Sequence, residues 1–282
     1  MPVVSPEELQ AEADSFAWFH SIDLGRGVRT KGLSELAFGV DKFPDFAGKS
    51  VLDIGAWDGY YSFLAEREGA ARVVALDHYA WGIDFAARGA YWADCAARGV
   101  LPDHRRDMEE FWRPELPGRR GFDFAHQALD SKVETMVADF TTVDLSTVGT
   151  FDIVLYLGVL YHMKEPLTCL ERLRSVTAGV AVIETEAVHL NRLDDVSLLE
   201  FHPGHDVQAD FGNWYVPTIA AIESLCRAAG FAEVDRVIGP PPPPTDPEPG
   251  LVRLGRRLGL AGPAPAPSAP TTPYRALVHA RV

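Results

Sequence analysis

Short apolar runs alternate along this chain with stretches whose apolar positions recur every three or four residues. The runs at 50–54, 72–77, 133–138, 151–157, 179–184, 232–238 and 274–281 read as strands, and most of the intervals between them carry helical periodicity. Strand and helix patterns in alternation predict an α/β fold built on a mostly parallel, doubly wound sheet. Three stretches interrupt the rhythm. Residues 1–47 hold an amphipathic helical start, Pro6 to Phe19, and can close over a ligand as a lid. Residues 78–131 are far longer than one crossover needs and carry Tyr79, Trp81, Phe85, Tyr91, Trp92, Phe111 and Trp112, with a helix beginning near Gly82. This is a helical insertion that packs on the sheet or walls a pocket. Residues 239–273 open with a proline run, a stiff polyproline connection before the last strand. The main unit is therefore 48–282.

Composition narrows the class. With 282 residues, 47% of them hydrophobic, the chain can bury one large core. The net charge of −14 opposes a broad phosphate-binding footprint, because each nucleic-acid phosphate contact needs a local cation. Arg253, Arg256 and Arg257, and the pairs Arg105–Arg106 and Arg119–Arg120, read as solvated charge. Cys95, Cys169 and Cys226 show no metal or disulfide spacing. The first residues lack the basic-then-apolar order of a signal peptide and no apolar run is long enough to span a bilayer, so a cytoplasmic location is expected. A homo-oligomer is left open.

The chemistry concentrates in Val51-Leu52-Asp53-Ile54-Gly55-Ala56-Trp57-Asp58-Gly59-Tyr60-Tyr61-Ser62, an apolar strand that enters a glycine turn and then a helix. Glycines at 55 and 59 let the backbone turn sharply and approach a ligand. The next strand ends in Asp77, at the spacing where an acid accepts ribose hydroxyls. The spacing is not the dinucleotide fingerprint, and Asp53 would repel a pyrophosphate. A positive sulfonium and an amino group would instead be attracted there.

This pattern resembles the first motif of class I S-adenosylmethionine-dependent methyltransferases. The resemblance implies a Rossmann-like fold with seven strands, an antiparallel last strand and helices on both faces. It implies cofactor contacts from Asp53, Gly55, Gly59, the ribose acid Asp77, and Asp139 with Phe140 at the adenine. Asp139 can equally serve as a helix cap.

Gly158-Val159-Leu160-Tyr161-His162, with Pro166 after it, resembles a subgroup that includes the enzymes modifying the wobble uridine of tRNA. Phe201-His202-Pro203-Gly204 and Asn213-Trp214-Tyr215-Val216-Pro217-Thr218 resemble the same subgroup. Its carboxymethyltransferases use carboxy-S-adenosylmethionine, and the resemblance would assign the extra carboxylate to Lys31, Tyr161 and Arg275. Leu33 and Thr30 depart from that pattern, and only Lys31 discriminates between the two donors. His162 and, second, His20 are the candidate bases, with Tyr161 beside them. Trp214 and Tyr215 can stack on an aromatic or heterocyclic acceptor. A metal alternative rests on His202, His205 and Asp206 with His189, Glu184 and Glu186, none at diagnostic spacing.

The expectation is methyl transfer from S-adenosylmethionine to an oxygen, nitrogen or carbon of a small molecule, with no metal. Carboxymethyl transfer, including to tRNA uridine, is the enzymatic alternative. A non-catalytic module that binds the cofactor and recruits a partner is the other.

Overall fold

The protein was analysed as a computed structural model, which describes residues 5–32, 38–103, 106–107, 110–190, 193, 195–204, 207, 212–241 and 271–282. Its main strands in chain order are β3 (Ser50–Ile54), β4 (Arg72–Asp77), β5 (Glu134–Val137), β6 (Phe151–Leu157), β7 (Thr177–Leu190), β10 (Glu233–Ile238) and β11 (Thr271–Arg281). Two small antiparallel pairs lie outside the main sheet: β1 (Asp23–Gly25) with β2 (Val28–Arg29), and β8 (Leu199–Phe201) with β9 (Tyr215–Pro217). The helices are α1 (Pro6–Ala13), α2 (Tyr60–Arg67), α3 (Tyr79–Gly82), α4 (Phe85–Ala97), α5 (Arg120–Ala128), α6 (Pro166–Val176) and α7 (Ile219–Ala228).

The seven strands stand in the order β10-β11-β7-β6-β3-β4-β5. β3, β4, β5, β6 and β7 run parallel, and β11 is antiparallel to both neighbours. The chain leaves β3 in one direction and returns to β6 on its other side, so the carboxyl ends of those strands flank a crevice where ligands of open α/β sheets bind.

Strand parity assigns the faces. Val51, Val73, Ala75, Ile153, Leu155, Val182 and Leu277 share one apolar cluster with Trp18 and Ile22 of the N-terminal segment, Phe63 of α2 and Phe122 of α5. Leu52, Ile54, Val154, Ile183 and Val278 pack on the opposite face with Leu170 and Leu173 of α6 and Ile222 of α7. Burial of both faces explains why the strands read as continuous apolar runs rather than alternating ones.

Several elements differ from the sequence pattern, three of them for reasons visible in the packing. α1 stops at Ala13, because the Trp18 indole N–H reaches back to cap the Ala13 carbonyl at 2.7 Å. Phe16 and Trp18, the apolar positions that seemed to prolong the helix, instead pack on Phe124 of α5. β7 runs to Leu190, since β11 hydrogen-bonds alongside it from Thr271 to Arg281. Within 78–131, α5 is a crossover helix of the sheet itself, with Phe122 fully buried against Phe63.

The three cysteines are buried thiols. No described helix is long and apolar enough to cross a membrane. Most of the proline run, together with Arg105, Arg253, Arg256, Arg257, His205 and Asp206, lies outside the described residues.

Candidate active site

β3 delivers Asp53 to the face of the sheet on which the N-terminal segment packs, where it is 2% exposed. Ser62, one turn into α2, donates its hydroxyl to Asp53 at 2.6 Å. Burial raises the Asp53 carboxyl to about 6 against the pull of that hydrogen bond; Asp77 and Asp58 add repulsion and His20 offsets part of it. The turn between strand and helix leaves no room for side chains. A Cβ on Gly55, at φ +80°, would stand 2.8 Å from a methyl of Val159, and one on Gly59, at φ +85°, would stand 2.5 Å from Phe63 and 2.6 Å from Phe122. Trp57 between them is itself held at φ +44°.

Asp77 closes β4 beside this turn. One of its oxygens accepts the Trp57 amide and the other the Ala80 amide, both at 2.9 Å. It therefore joins the glycine turn to the start of α3, a link reinforced by the Trp81 indole on the Trp57 carbonyl at 2.7 Å. Burial raises Asp77 to about 6 as well, despite those amides.

The N-terminal segment docks on the same turn through Asp58. This buried carboxylate accepts the backbone amides of Phe19 and His20 at 3.0 and 2.6 Å and lies 2.8 Å from Nδ1 of His20. The imidazole stacks on Tyr60 and meets Tyr61 edge-on. Thr30 completes the anchorage by donating to the His20 carbonyl and accepting from Ile22. Asp58 went unremarked in the sequence although it stands inside the glycine turn; its partner lies 38 residues away.

A second group forms at the end of β6. Arg275 of β11 faces Glu186 of β7 in register, and Glu184 lies on the same face two residues earlier. The guanidinium binds Glu184 through Nε and Nη2 and Glu186 through Nη1 at 2.9 Å. The same Nη1 is 3.5 Å from the Tyr161 hydroxyl. A Cβ on Gly158 would stand 3.5 Å from both Arg275 Nη2 and Tyr161 Oη, so these groups border the turn after β6. Burial raises the Glu184 carboxyl, and the Arg275 hydrogen bonds oppose the rise. Tyr61 connects the two halves of the site: burial raises its phenol, and Glu184 and Asp53 both repel its ionised form.

The other candidates are placed as follows. His162 Nδ1 lies 3.1 Å from the Gly212 carbonyl, with its ring against Tyr161. Trp214 donates its amide to the Tyr161 carbonyl at 2.8 Å and stacks on Phe201. Tyr215 packs on the same Phe201 ring. Asp139 accepts the amide and hydroxyl of Thr141 and caps its own turn, while Phe140 is buried against Tyr156. Lys31 pairs with Asp14 just past α1, its side chain 73% exposed. Among the described residues no three His, Cys, Asp or Glu side chains gather in a metal-binding arrangement. Glu184 and Glu186 are engaged by Arg275 instead.

A family model described as a methyltransferase domain matches residues 29–235. The chain belongs to this methyltransferase family. The methyltransferase is 29% identical over 194 residues to a tRNA U34 carboxymethyltransferase of Stutzerimonas stutzeri (strain A1501), a match covering 67% of this chain and 47% of that protein. It is 30% identical over 194 residues to the protein of that name from Pseudomonas savastanoi pv. phaseolicola, covering 67% of this chain and 47% of the relative. The chain thus spans about half the length of the curated relatives it matches. The N-terminal domain of EvdMO1 with SAH bound superposes with a TM-score of 0.59 at 18% identity, over 99% of this chain and 97% of that one.

The residues of this site fit S-adenosylmethionine as the methyl donor of such a domain. Asp53 and Asp77 are buried acids that form no Lys or Arg salt bridge among the described residues, so a positively charged ligand offsets part of what burial costs them. The glycine turn lets the backbone come close to it. Asp53 and the glycine turn would hold the charged end, and Asp77 the ribose.

Proposed function

We propose that this methyltransferase transfers the methyl group to an oxygen, nitrogen or carbon centre of a small molecule. The carrying observation is Lys31. The one residue that would discriminate for a carboxylated donor is spent on Asp14 at the surface, three-quarters exposed. A site without that cation suits the plain sulfonium donor.

When bound, the cofactor supplies an electrophilic methyl group on a sulfonium sulfur. The chain supplies position and charge. Asp53 and Asp77 fix the donor at the carboxyl ends of β3 and β4. The segment from Trp18 to Thr30, latched through Asp58, covers the turn and excludes water. In-line displacement then depends chiefly on holding the acceptor atom opposite the sulfur.

For an acceptor that must lose a proton, His20 is the better base. Asp58 orients its imidazole, whereas His162 is directed at a backbone carbonyl. Trp214, tied to Tyr161, offers an aromatic acceptor a stacking surface. The described parts of 1–47 and 78–131 act as lid and pocket wall.

The relatives' names favour a second reading, carboxymethyl transfer to a tRNA uridine. The acidic charge of −14 weighs against its nucleic-acid half. Calorimetric titration with S-adenosylmethionine and with carboxy-S-adenosylmethionine decides between the donors. Tighter binding of S-adenosylmethionine, unaffected by Lys31→Ala, is the expected result. Tighter binding of the carboxylated donor, lost in Lys31→Ala, would establish the second reading.

A further inference from the structure

The cluster at the end of β6 has a charge pattern that the transfer reaction alone does not require. One guanidinium meets two carboxylates, and the two play different parts. Glu184 is 4% exposed and engages Arg275 with both oxygens, on Nε and Nη2, which fixes the plane of the guanidinium. Glu186 takes the remaining edge. It binds Nη1, the nitrogen that also faces the Tyr161 hydroxyl at 3.5 Å.

The edge shared by Nη1 and the phenol is the part of this cluster best suited to an incoming carboxylate. It offers a charged donor and a neutral one side by side. In this chain an internal carboxylate already sits there. Glu184 and Glu186 already take the guanidinium's hydrogen-bonding edges, so a further carboxylate would meet two glutamate side chains there rather than an open cation. The plain methyl donor brings no carboxylate to this edge and leaves the arrangement intact.

We propose that Glu186 is a donor-specificity residue: its carboxylate occupies the Arg275–Tyr161 edge and excludes any donor whose transferred group carries a carboxylate. The proposal rests on the methyl-transfer reading above and names the side chain that enforces it. Glu184 is then a positioning residue, holding Arg275 in plane whichever donor is bound.

The test is calorimetry on the full chain with the two donors, comparing wild type, Glu186→Gln and Glu186→Leu. Gln keeps the shape and removes the charge; Leu removes charge and hydrogen bonding, so the pair guards against a local packing effect. In both variants the affinity for carboxy-S-adenosylmethionine should rise at least tenfold, while that for S-adenosylmethionine stays within threefold. Retained S-adenosylmethionine affinity also reports that the variants are folded. If wild type prefers S-adenosylmethionine but the ratio of the two affinities moves by less than threefold in both variants, the role of Glu186 is overturned and the methyl-transfer reading stands. If wild type prefers the carboxylated donor, the methyl-transfer reading fails and the proposal with it. If both variants lose S-adenosylmethionine, Glu186 supports the fold rather than the choice of donor, which also overturns the proposal.

Discussion

Nδ1 of His20 lies 2.8 Å from Oδ1 of Asp58, so a residue of the N-terminal segment and a residue of the glycine turn form one unit. The same carboxylate holds the amides of Phe19 and His20. Asp58→Ala removes all three interactions and should loosen the segment by about 3 kcal/mol, at roughly 1 kcal/mol for each hydrogen bond. Hydrogen exchange would show this as faster exchange across residues 18–30 with the sheet unchanged. His20→Ala tests the chemistry separately. S-adenosylmethionine affinity should change only a few-fold, whereas transfer to a hydroxyl acceptor should fall on the order of 100-fold or more, the usual worth of a positioned base.

Asp53 and Asp77 make cofactor binding pH-dependent. Both carboxyls titrate near 6 in the folded chain, above the ordinary carboxylate range, because burial penalises their charged forms. The folded state therefore keeps these protons to higher pH than the unfolded state does. Stability from this source is greatest below about pH 4 and declines as pH rises to about 6, by about 3 kcal/mol per acid at 1.36 kcal/mol per unit. A cationic ligand reverses the balance by favouring the ionised pair. Calorimetry with S-adenosylmethionine should show affinity rising about tenfold from pH 5 to pH 7 for each acid that must release a proton, with protons released to buffer. Asp53→Asn should flatten the profile and weaken binding at pH 7.

Gly55 gives a steric test of the turn. Alanine there places a methyl 2.8 Å from Val159 Cγ2 at a backbone φ of +80°. Strain and overpacking together should cost about 2–3 kcal/mol and displace the turn from the cofactor. Adding Val159→Ala relieves the clash but not the backbone strain. The double variant should therefore recover part of the lost melting temperature and part of the S-adenosylmethionine affinity. Full recovery would show that the positive φ costs nothing.

Sequence pattern carried the sheet well and the site unevenly, for physical reasons. Parallel strands buried on both faces appear as apolar runs, so β3, β4 and β6 were legible to the residue. The positions of Asp53 and Asp77 at the strand ends beside the turn were legible because strand, acid and turn are contiguous. Arg275 and Tyr161 were grouped through the resemblance, but the glutamates that engage Arg275 were not, because they lie 89 and 91 residues away on a neighbouring strand and meet it only through antiparallel register. Asp58 escaped notice for the same reason, since its meaning depends on a distant histidine. Lys31 reads identically as a ligand or a surface charge, and its pairing with Asp14 could not be read from a spacing of 17 residues. The end of α1 was equally hidden, being set by a tryptophan five residues beyond it.

The insertion between β4 and α5 contains a buried ion pair whose loss should reach the cofactor site. Arg88 of α4 and Asp107 are each 5% exposed at the side chain and joined through Nε and Nη2. The Trp92 indole donates to the same carboxylate at 2.7 Å, and the guanidinium lies 3.9 Å over the Trp92 ring and 5.0 Å over Tyr79. Tyr79 opens α3, two residues past Asp77. Asp107→Ala leaves a buried guanidinium without its counter-charge and should cost about 3–5 kcal/mol in chemical denaturation. Because Arg88 lies over Tyr79 of α3, whose Ala80 amide donates to Asp77, S-adenosylmethionine should bind several-fold more weakly as well. Replacing both partners, Arg88→Met with Asp107→Leu, removes the stranded charge and should restore most of the stability. If stability returns while affinity does not, the pair sets the position of α3 and not merely the packing of α4.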